Sequence, residues 1–289
     1  MNLPRSRWGK KDERGAYNLI DRTATLRGLA AVREGRVLSL AVPIVGGSHG
    51  PSIPSRPAAQ HFMLRDGGDY CGGLPERHGF GFSDDVLTIA THGTTHVDAL
   101  AHVWQDGRMY NGFKASDVSS RGACHCGIDK LGPIVTRGLV VDFASPACKG
   151  ADEAIHVGAL QQAVTRGGLE PEPGDALLVR TGWLDSFTRG RATHLNSRGL
   201  HQDCAEWIIN SGFAIVAADN IAVEVLPSGD PACAVPLHIR LLRDQGIYLA
   251  EMLNLDELAE AHRPACLFML SPLRIEGGVG SPVNPVAVL

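Results

Sequence analysis

The second half of the chain alternates apolar, strand-like runs with amphipathic, helix-like runs, and this alternation constrains its fold most strongly. Strand-like runs rich in Val, Ile and Leu occur at residues 138–144 (GLVVDFA), 176–182 (ALLVRTG) and 213–219 (FAIVAAD), with helical patterns at 156–168 and 203–211. Because parallel neighbouring strands need a crossover connection that is usually a helix, the alternation predicts βαβ units and an α/β fold.

The remaining segments add further predicted helices and strands and contain no boundary between two domains. We predict a helix at 22–35, strands at 37–44, 59–64 and 85–91, a helix at 236–246, and strands at 247–252, at 266–272 and at the end of the chain. Internal repeats, low-complexity segments and a clear linker are absent from the sequence. Residues 1–289 are therefore treated as one domain, with 1–36 as an N-terminal arm and helix.

Composition excludes several classes of protein. The chain has 289 residues, 44% of them hydrophobic, and a net charge of -4 without a basic stripe, so we expect no nucleic-acid partner. No apolar run is long enough to cross a membrane, and the N-terminus is polar and lacks the apolar core of a signal peptide. We therefore expect a cytoplasmic protein that has no membrane partner.

The cysteines and serines give no catalytic or structural signature. Seven cysteines at irregular spacings do not indicate a disulfide framework. Cys124-His125-Cys126 has no second pair at zinc-finger spacing, which favours a loop with reduced thiols. A serine nucleophile has no support, because the Gly-x-Ser-x-Gly elbow is missing.

The segment HGTTHVDALAH, residues 92–102, concentrates metal-ligating side chains: His92, His96, Asp98 and His102. Imidazole and carboxylate groups bind zinc and manganese well. Neither a continuous helix nor a continuous strand would bring all four together. We therefore predict that a strand ends at His92 and that a turn leads into a helix capped by Thr94 or Thr95, so that the four side chains converge.

Other candidates lie outside this segment. His238 and Glu251 flank a predicted helix–Gly–strand unit, which can return both side chains to one end of a sheet as metal ligands or close neighbours of the metal. Phe62, Phe82 and Trp104 are candidates for the flat wall of a substrate pocket, since each aromatic ring accompanies a predicted loop or strand end.

The central segment resembles the His-x-Gly-Thr-His-x-Asp-x-Pro-x-His signature of the cyclase/kynurenine formamidase superfamily of metal-dependent hydrolases. AYNLIDR (16–22), ADNIAVEVLP (218–227) and the His238–Glu251 unit are similar to its longer branch, which includes isatin hydrolase and metal-dependent trans-dienelactone hydrolase. The sequence departs from the signature at Leu100, which replaces the proline, and at the shifted Gly93-Thr94-Thr95.

This resemblance implies a swivelling β/β/α cyclase-like fold and a homodimer or homotetramer. It implies that His92, His96 and Asp98 bind a divalent ion, Zn²⁺ or Mn²⁺, and that His102 is the catalytic acid/base. The expected function is hydrolysis of a small cyclic amide, lactone or aryl formamide by metal-activated water. Two alternatives stay open: a metal-dependent ring cyclase or dehydratase, and a non-catalytic metal-binding protein. The sequence leaves open whether there are one or two metals.

Overall fold

A mixed β-sheet forms the centre of the fold in the computed structural model, which describes residues 6–76, 78–145 and 153–289. Within these residues the sheet has nine strands, numbered here in chain order. Their spatial order is β1 Val37–Ser39, β15 Val286–Val288, β13 Ala265–Leu270, β7 Ile134–Asp142, β9 Ala176–Arg180, β11 Ile215–Ala218, β12 Tyr248–Glu251, β4 His96–Asp98 and β14 Gly280–Pro282.

The four middle strands, β7, β9, β11 and β12, run parallel to one another, whereas both flanks of the sheet are antiparallel. Every residue of β11 and β12 is buried, as expected for strands covered on both faces. The apolar runs at 176–182, 213–219 and 247–252 supply these central strands. The mixed α/β fold predicted from the alternating pattern is therefore confirmed.

Helices connect the parallel strands and cover the sheet. They are α1 Arg22–Ala30, α2 Gly67–Cys71, α3 Val157–Arg166, α4 Trp183–Thr188, α5 Ala205–Ser211, α6 Pro236–His238 and α7 Asp256–Glu260, and α6 continues as a π-helix over Ile239–Arg243. The Asp21 side chain caps α1 by accepting a hydrogen bond from the Ala24 amide at 2.9 Å. Both α1 and α3 pack on β7.

Three pairs of strands lie outside the central sheet. The longest is an antiparallel hairpin of β2 Gln60–Arg65 and β3 Asp84–Thr88, in which Phe62 is opposite Val86. The others are β5 Val118–Ser119 with β6 Gly122–Ala123, and β8 Ala154–Ile155 in parallel with β10 Gly199–Leu200. Among the described residues, no helix is long and apolar enough to cross a membrane.

The helix predicted after Thr94 and Thr95 is wrong, because β4 occupies His96–Asp98 instead. This short strand is held on both sides, by β12 and by β14. Thr95 caps no helix; its hydroxyl donates to the Met252 carbonyl at 2.6 Å and accepts from the Val42 amide at 2.9 Å. Pairing with distant strands thus overrides the local signals for a helix start.

Candidate metal centre

Strand β4 presents His96 and Asp98 on one face, because side chains two residues apart in a strand point the same way. The register of the sheet then adds neighbours to both residues. Glu251 of β12 is opposite His96, and Gly280 of β14 is opposite Asp98. The sheet therefore builds part of the site from strands that lie far apart in sequence.

His92 reaches Asp98 from the turn before β4. Its carbonyl oxygen accepts hydrogen bonds from the Arg56 guanidinium at 2.7 Å and the Ser52 hydroxyl at 3.1 Å. The Thr91 hydroxyl lies 3.1 Å from its Nδ1, which leaves Nε2 facing Asp98. Gly280 leaves room for the ring, since a Cβ at that position would lie only 2.7 Å from His92 Cε1.

The last residue of α6, His238, is oriented by the buried carboxylate of Glu224. This carboxylate accepts from the backbone amides of Leu237 at 3.1 Å and His238 at 2.9 Å, and lies 2.6 Å from His238 Nδ1. The Nε2 of His238 then lies 3.2 Å from Glu251 Oε1 and 3.7 Å from Asp98 Oδ2. A carboxylate behind a histidine is the usual arrangement for a metal ligand.

These side chains fit a divalent metal ion. Four buried atoms of these side chains have no hydrogen-bond partner among the described residues: His92 Nε2, His96 Nε2 and both carboxylate oxygens of Asp98. The two imidazole nitrogens lie 3.2 and 3.3 Å from Asp98 Oδ1. Ligand atoms at about 2.0–2.2 Å from a tetrahedral ion are roughly 3.3–3.6 Å apart, which is close to the spacing observed.

Two groups of potential ligands share Asp98. One is His92, His96 and Asp98, and the other is Asp98, His238 and Glu251. His96 Nε2 also lies 3.4 Å from Glu251 Oε2, so the two groups are in contact. The structure thus brings together all five residues predicted as metal ligands, and these side chains could hold one divalent ion or two.

The charges at the centre alter the protonation of its members. Burial alone raises the pKa of Asp98, but the imidazoles of His102, His92 and His96 outweigh burial and hold this pKa well below its usual range. Burial lowers the pKa of His238, but hydrogen bonds to Glu224 and Glu251 outweigh burial and hold this pKa well above 6.5. Without a metal, protons on His96 and His238, whose pKa values are raised, compensate the buried carboxylates.

His102 lies beside the ligands and lacks a carboxylate partner of its own in the described chain. Its ring stacks on that of His92, with centroids 4.1 Å apart and planes inclined by 24°. Burial lowers the pKa of His102 to about 3, with a contribution in the same direction from the His92 imidazole and an opposing one from Asp98. The imidazole is therefore neutral at pH 7 and can accept a proton.

The aromatic residues predicted as a pocket wall lie at exposed positions. Phe62, Phe82 and Trp104 are 54%, 47% and 50% exposed, respectively. Phe62 is in strand β2, and Phe82 lies just before β3, where the Arg65 guanidinium sits 4.5 Å above its ring. The structure does not bring these rings into the buried centre, and their role in substrate binding stays a prediction.

Sequence reasoning missed Glu224 and Gly280. Glu224 lies in the segment ADNIAVEVLP, where a lone acidic residue between Val223 and Val225 is a signal of a buried carboxylate with a specific partner. Gly280 lies in the Gly-rich run 277–282, whose pattern alone favours a loop. It is in fact in β14, directly against His92.

Comparison with known proteins agrees with this geometry. The model of the cyclase family, described as putative cyclase, matches residues 38–225, which is more than half of the chain. Isatin hydrolase from Roseibium aggregatum is 25% identical over 217 residues, covering 72% of this chain and 75% of the relative. Cyclase-like protein 3 of Oryza sativa subsp. japonica is 25% identical over 215 residues, covering 73% and 68%, respectively.

Solved structures show the same fold. A crystal structure described as a novel cyclase superposes over 100% of both chains with a TM-score of 0.89 and 34% sequence identity. An isatin hydrolase bound to the product analogue thioisatinate superposes over 93% of this chain and 99% of its own, with a TM-score of 0.65 and 21% identity. The matched family model and the full-length superposition show that this chain belongs to the cyclase family.

Proposed function

We propose that the chain is a metal-dependent hydrolase that opens or cleaves a small cyclic amide, a lactone or an aryl formamide. The observation that carries this proposal is the convergence of buried, unpartnered ligand atoms from His92, His96 and Asp98 beside His238 and Glu251. Similarity to isatin hydrolase, whose name describes opening of a cyclic amide, supports the choice of substrate class.

The side chains of the centre support a hydrolytic role. When bound here, a divalent ion, Zn²⁺ or Mn²⁺, supplies Lewis acidity and lowers the pKa of water from 15.7 toward about 7. His92, His96 and Asp98 would hold this ion, with His238 and Glu251 completing the set or holding a second ion. Glu224 fixes the ring of His238, so that its Nε2 faces Asp98 and Glu251.

His102 is the residue we assign to proton transfer. Its imidazole is neutral at pH 7 because burial lowers its pKa, so in the resting enzyme it can take a proton from the attacking water. The same ring nitrogen can then donate this proton to the leaving nitrogen or oxygen. Stacking on His92 keeps the ring of His102 within reach of the centre.

Turnover of defined substrates tests the proposal. Protein loaded with Zn²⁺ or with Mn²⁺ is assayed against isatin, N-formylkynurenine and a dienelactone, with chelated protein as the control. We expect metal-dependent hydrolysis of at least one of them. Bound metal without turnover of any of the three would instead favour the cyclase or dehydratase alternative, or a non-catalytic metal-binding protein.

We further propose that the chain works as a homodimer or homotetramer in which a second copy covers the β2–β3 hairpin. An isolated two-stranded hairpin is marginally stable in water, and this one exposes Phe62, Leu64 and Val86. Light scattering measures the molar mass of the variants Leu64→Lys and Val86→Lys, which alter the hairpin. The control is Leu195→Lys, which changes an exposed leucine outside the hairpin. We expect monomers from the hairpin variants only. Unchanged mass in both hairpin variants would refute the hairpin interface.

A further inference from the structure

A second cluster of metal-ligating side chains, His156, His201 and Asp203, shares no residue with the metal centre. His156 immediately precedes α3, while His201 and Asp203 lie at the start of the 3₁₀ helix Gln202–Cys204, which leads into α5. The parallel pair β8–β10 joins the two segments, and the His201 amide donates to the Ile155 carbonyl at 2.9 Å. The backbone thus fixes the cluster from two distant parts of the chain.

The three side chains have the spacing of ligands to one ion. Asp203 Oδ2 lies 2.8 Å from His156 Nδ1 and 3.2 Å from His201 Nδ1. The two imidazole rings have centroids 4.4 Å apart and planes inclined by 43°, so they approach the carboxylate from different directions. The 3.2 Å separation is close to the roughly 3.3–3.6 Å between ligand atoms of a tetrahedral zinc ion. The 2.8 Å separation is that of a hydrogen bond, so the His156 ring must move by roughly half an ångström to admit an ion.

Hydrogen bonds around the cluster direct lone pairs toward its centre. The Val157 amide donates to Asp203 Oδ1 at 3.0 Å, which orients the carboxylate and leaves Oδ2 facing the imidazoles. The Asp203 amide approaches His201 Nδ1 at 3.2 Å, which identifies this nitrogen as an acceptor. The lone pairs of this nitrogen and of Asp203 Oδ2, 3.2 Å apart, repel each other, and a cation bound by both atoms would relieve the repulsion.

The cluster also lacks a competing cation and is open to solvent. No lysine or arginine of the described ranges forms an ion pair with Asp203. The side chains of His156, Asp203 and His201 are 51%, 38% and 26% exposed, so an ion can enter and keep water molecules in its remaining positions. With neutral imidazoles the cluster carries one negative charge, which favours a cation.

We propose that His156, His201 and Asp203 bind a divalent transition-metal ion of the zinc class. Two imidazoles and one carboxylate suit Zn²⁺, Ni²⁺ and Cu²⁺ better than Mg²⁺ or Ca²⁺, which prefer oxygen ligands. The ion cross-links the start of α3 to the segment that enters α5. This site is independent of the catalytic proposal, because none of its ligands belongs to the metal centre.

Zinc content measured in paired variants tests the site. Wild-type protein and the double variant His156→Ala/His201→Ala are dialysed against the same Zn²⁺ buffer and analysed for metal. The matched control is His61→Ala, because His61 is an exposed histidine that pairs with Asp85 at 2.8 Å but has no second histidine there. We expect the double variant to lose one zinc per chain and His61→Ala to lose none. Equal zinc content in wild type and double variant would overturn the proposal.

A measurement on the wild-type protein tests the site even if the double variant misfolds. Crystals of the wild-type protein soaked in Zn²⁺ should show an anomalous difference peak between the His156 and His201 rings and within bonding distance of Asp203. This peak should be distinct from density at the Asp98 centre. A peak at Asp98 together with none at Asp203 would exclude zinc binding by the cluster.

Discussion

At the scale of single residues, His102 differs from His96 and His238 in having a lowered rather than a raised pKa and no carboxylate of its own among the described residues. His238 and His96 face Asp98 and Glu251, whereas His102 contacts the centre mainly through its stacked ring. Because the neutral imidazole of His102 lies beside the centre without a carboxylate contact in the described ranges, it is free to accept a proton, as a general base must.

We predict that His102→Ala keeps the metal and loses most turnover. Removal of a general acid/base typically lowers rates by ~10²–10⁴-fold. The measurement is kcat together with metal content by elemental analysis. His125→Ala is the matched control, since His125 also stacks on an aromatic ring, that of Phe113 at 4.4 Å, but does so away from the centre. Undiminished kcat in His102→Ala would remove His102 from the mechanism.

A second prediction at this scale concerns Glu224. Glu224→Gln removes the charge behind His238 and part of the acceptor capacity for the Leu237 and His238 amides. Loss of such an outer partner typically lowers metal affinity by ~10–100-fold. Competition with a chromophoric chelator measures this affinity. Glu206→Gln changes an exposed glutamate paired with Arg240 and should leave affinity unchanged. Equal affinity in Glu224→Gln and wild type would show that His238 needs no such support.

At the scale of elements, the sequence predicts the central strands well and the surroundings of the ligands less well. β11 is entirely apolar, and β9 and β12 are apolar up to their last residues, Arg180 and Glu251, so local pattern suffices to find them. β4 is three residues long and carries His96 and Asp98, and its conformation depends on pairing with β12 and β14, more than 150 residues away. Such nonlocal pairing leaves no periodic signal in the segment itself.

The convergence of the candidate ligands was predictable for a different reason. Histidines and acidic residues in an apolar segment can be recognised by residue type alone, whether the segment forms a helix, a strand or a loop. Gly280 stands out by neither type nor pattern, because its importance comes from the space it leaves for the His92 ring. The exposure of Phe62 and Phe82 could not be predicted from the sequence either, because it depends on how the β2–β3 hairpin is placed relative to the central sheet.

The packing of β14 against β4 yields a prediction. Gly280→Ala places a methyl group against the His92 ring and must displace it, so we expect metal affinity to fall at least about tenfold, as for loss of an orienting partner. Gly158→Ala, in α3, is the control, because a Cβ there contacts nothing within 4 Å. Metal titration followed by calorimetry compares the two. Wild-type affinity in Gly280→Ala would show that β14 does not constrain His92.

At the scale of the whole molecule, the metal centre lies where one strand from the first half of the chain meets two strands from its last fifth. β4, β12 and β14 contribute residues around positions 96, 251 and 280, and α6 adds His238. Burying Asp98, Glu251 and Glu224 in this place costs free energy unless positive charge compensates them. That charge comes from protons on imidazoles or from a metal ion, and the two compete.

This competition predicts how metal removal affects stability at different pH values. The pKa values of His96 and His238 are raised in the metal-free fold, so their stabilising protonation is complete below about pH 6.5 and is lost as pH rises through the raised values. Metal binding strengthens over the same range because ligands must lose protons. The difference in Tm between metal-loaded and chelated protein should therefore grow from about pH 6 to about pH 8.

The expected size of this Tm difference follows from the mass-action effect of metal binding on the folded state. Free metal at 100 times its Kd stabilises the fold by about 2.7 kcal/mol, which corresponds to roughly 5 °C in Tm for a domain of this size. Calorimetry with and without chelator at each pH measures the difference, and the variant His156→Ala/His201→Ala separates the contribution of the second cluster. A Tm difference that shrinks with increasing pH would mean that protons on His96 and His238 do not compete with the metal, and hence that these side chains are not its ligands.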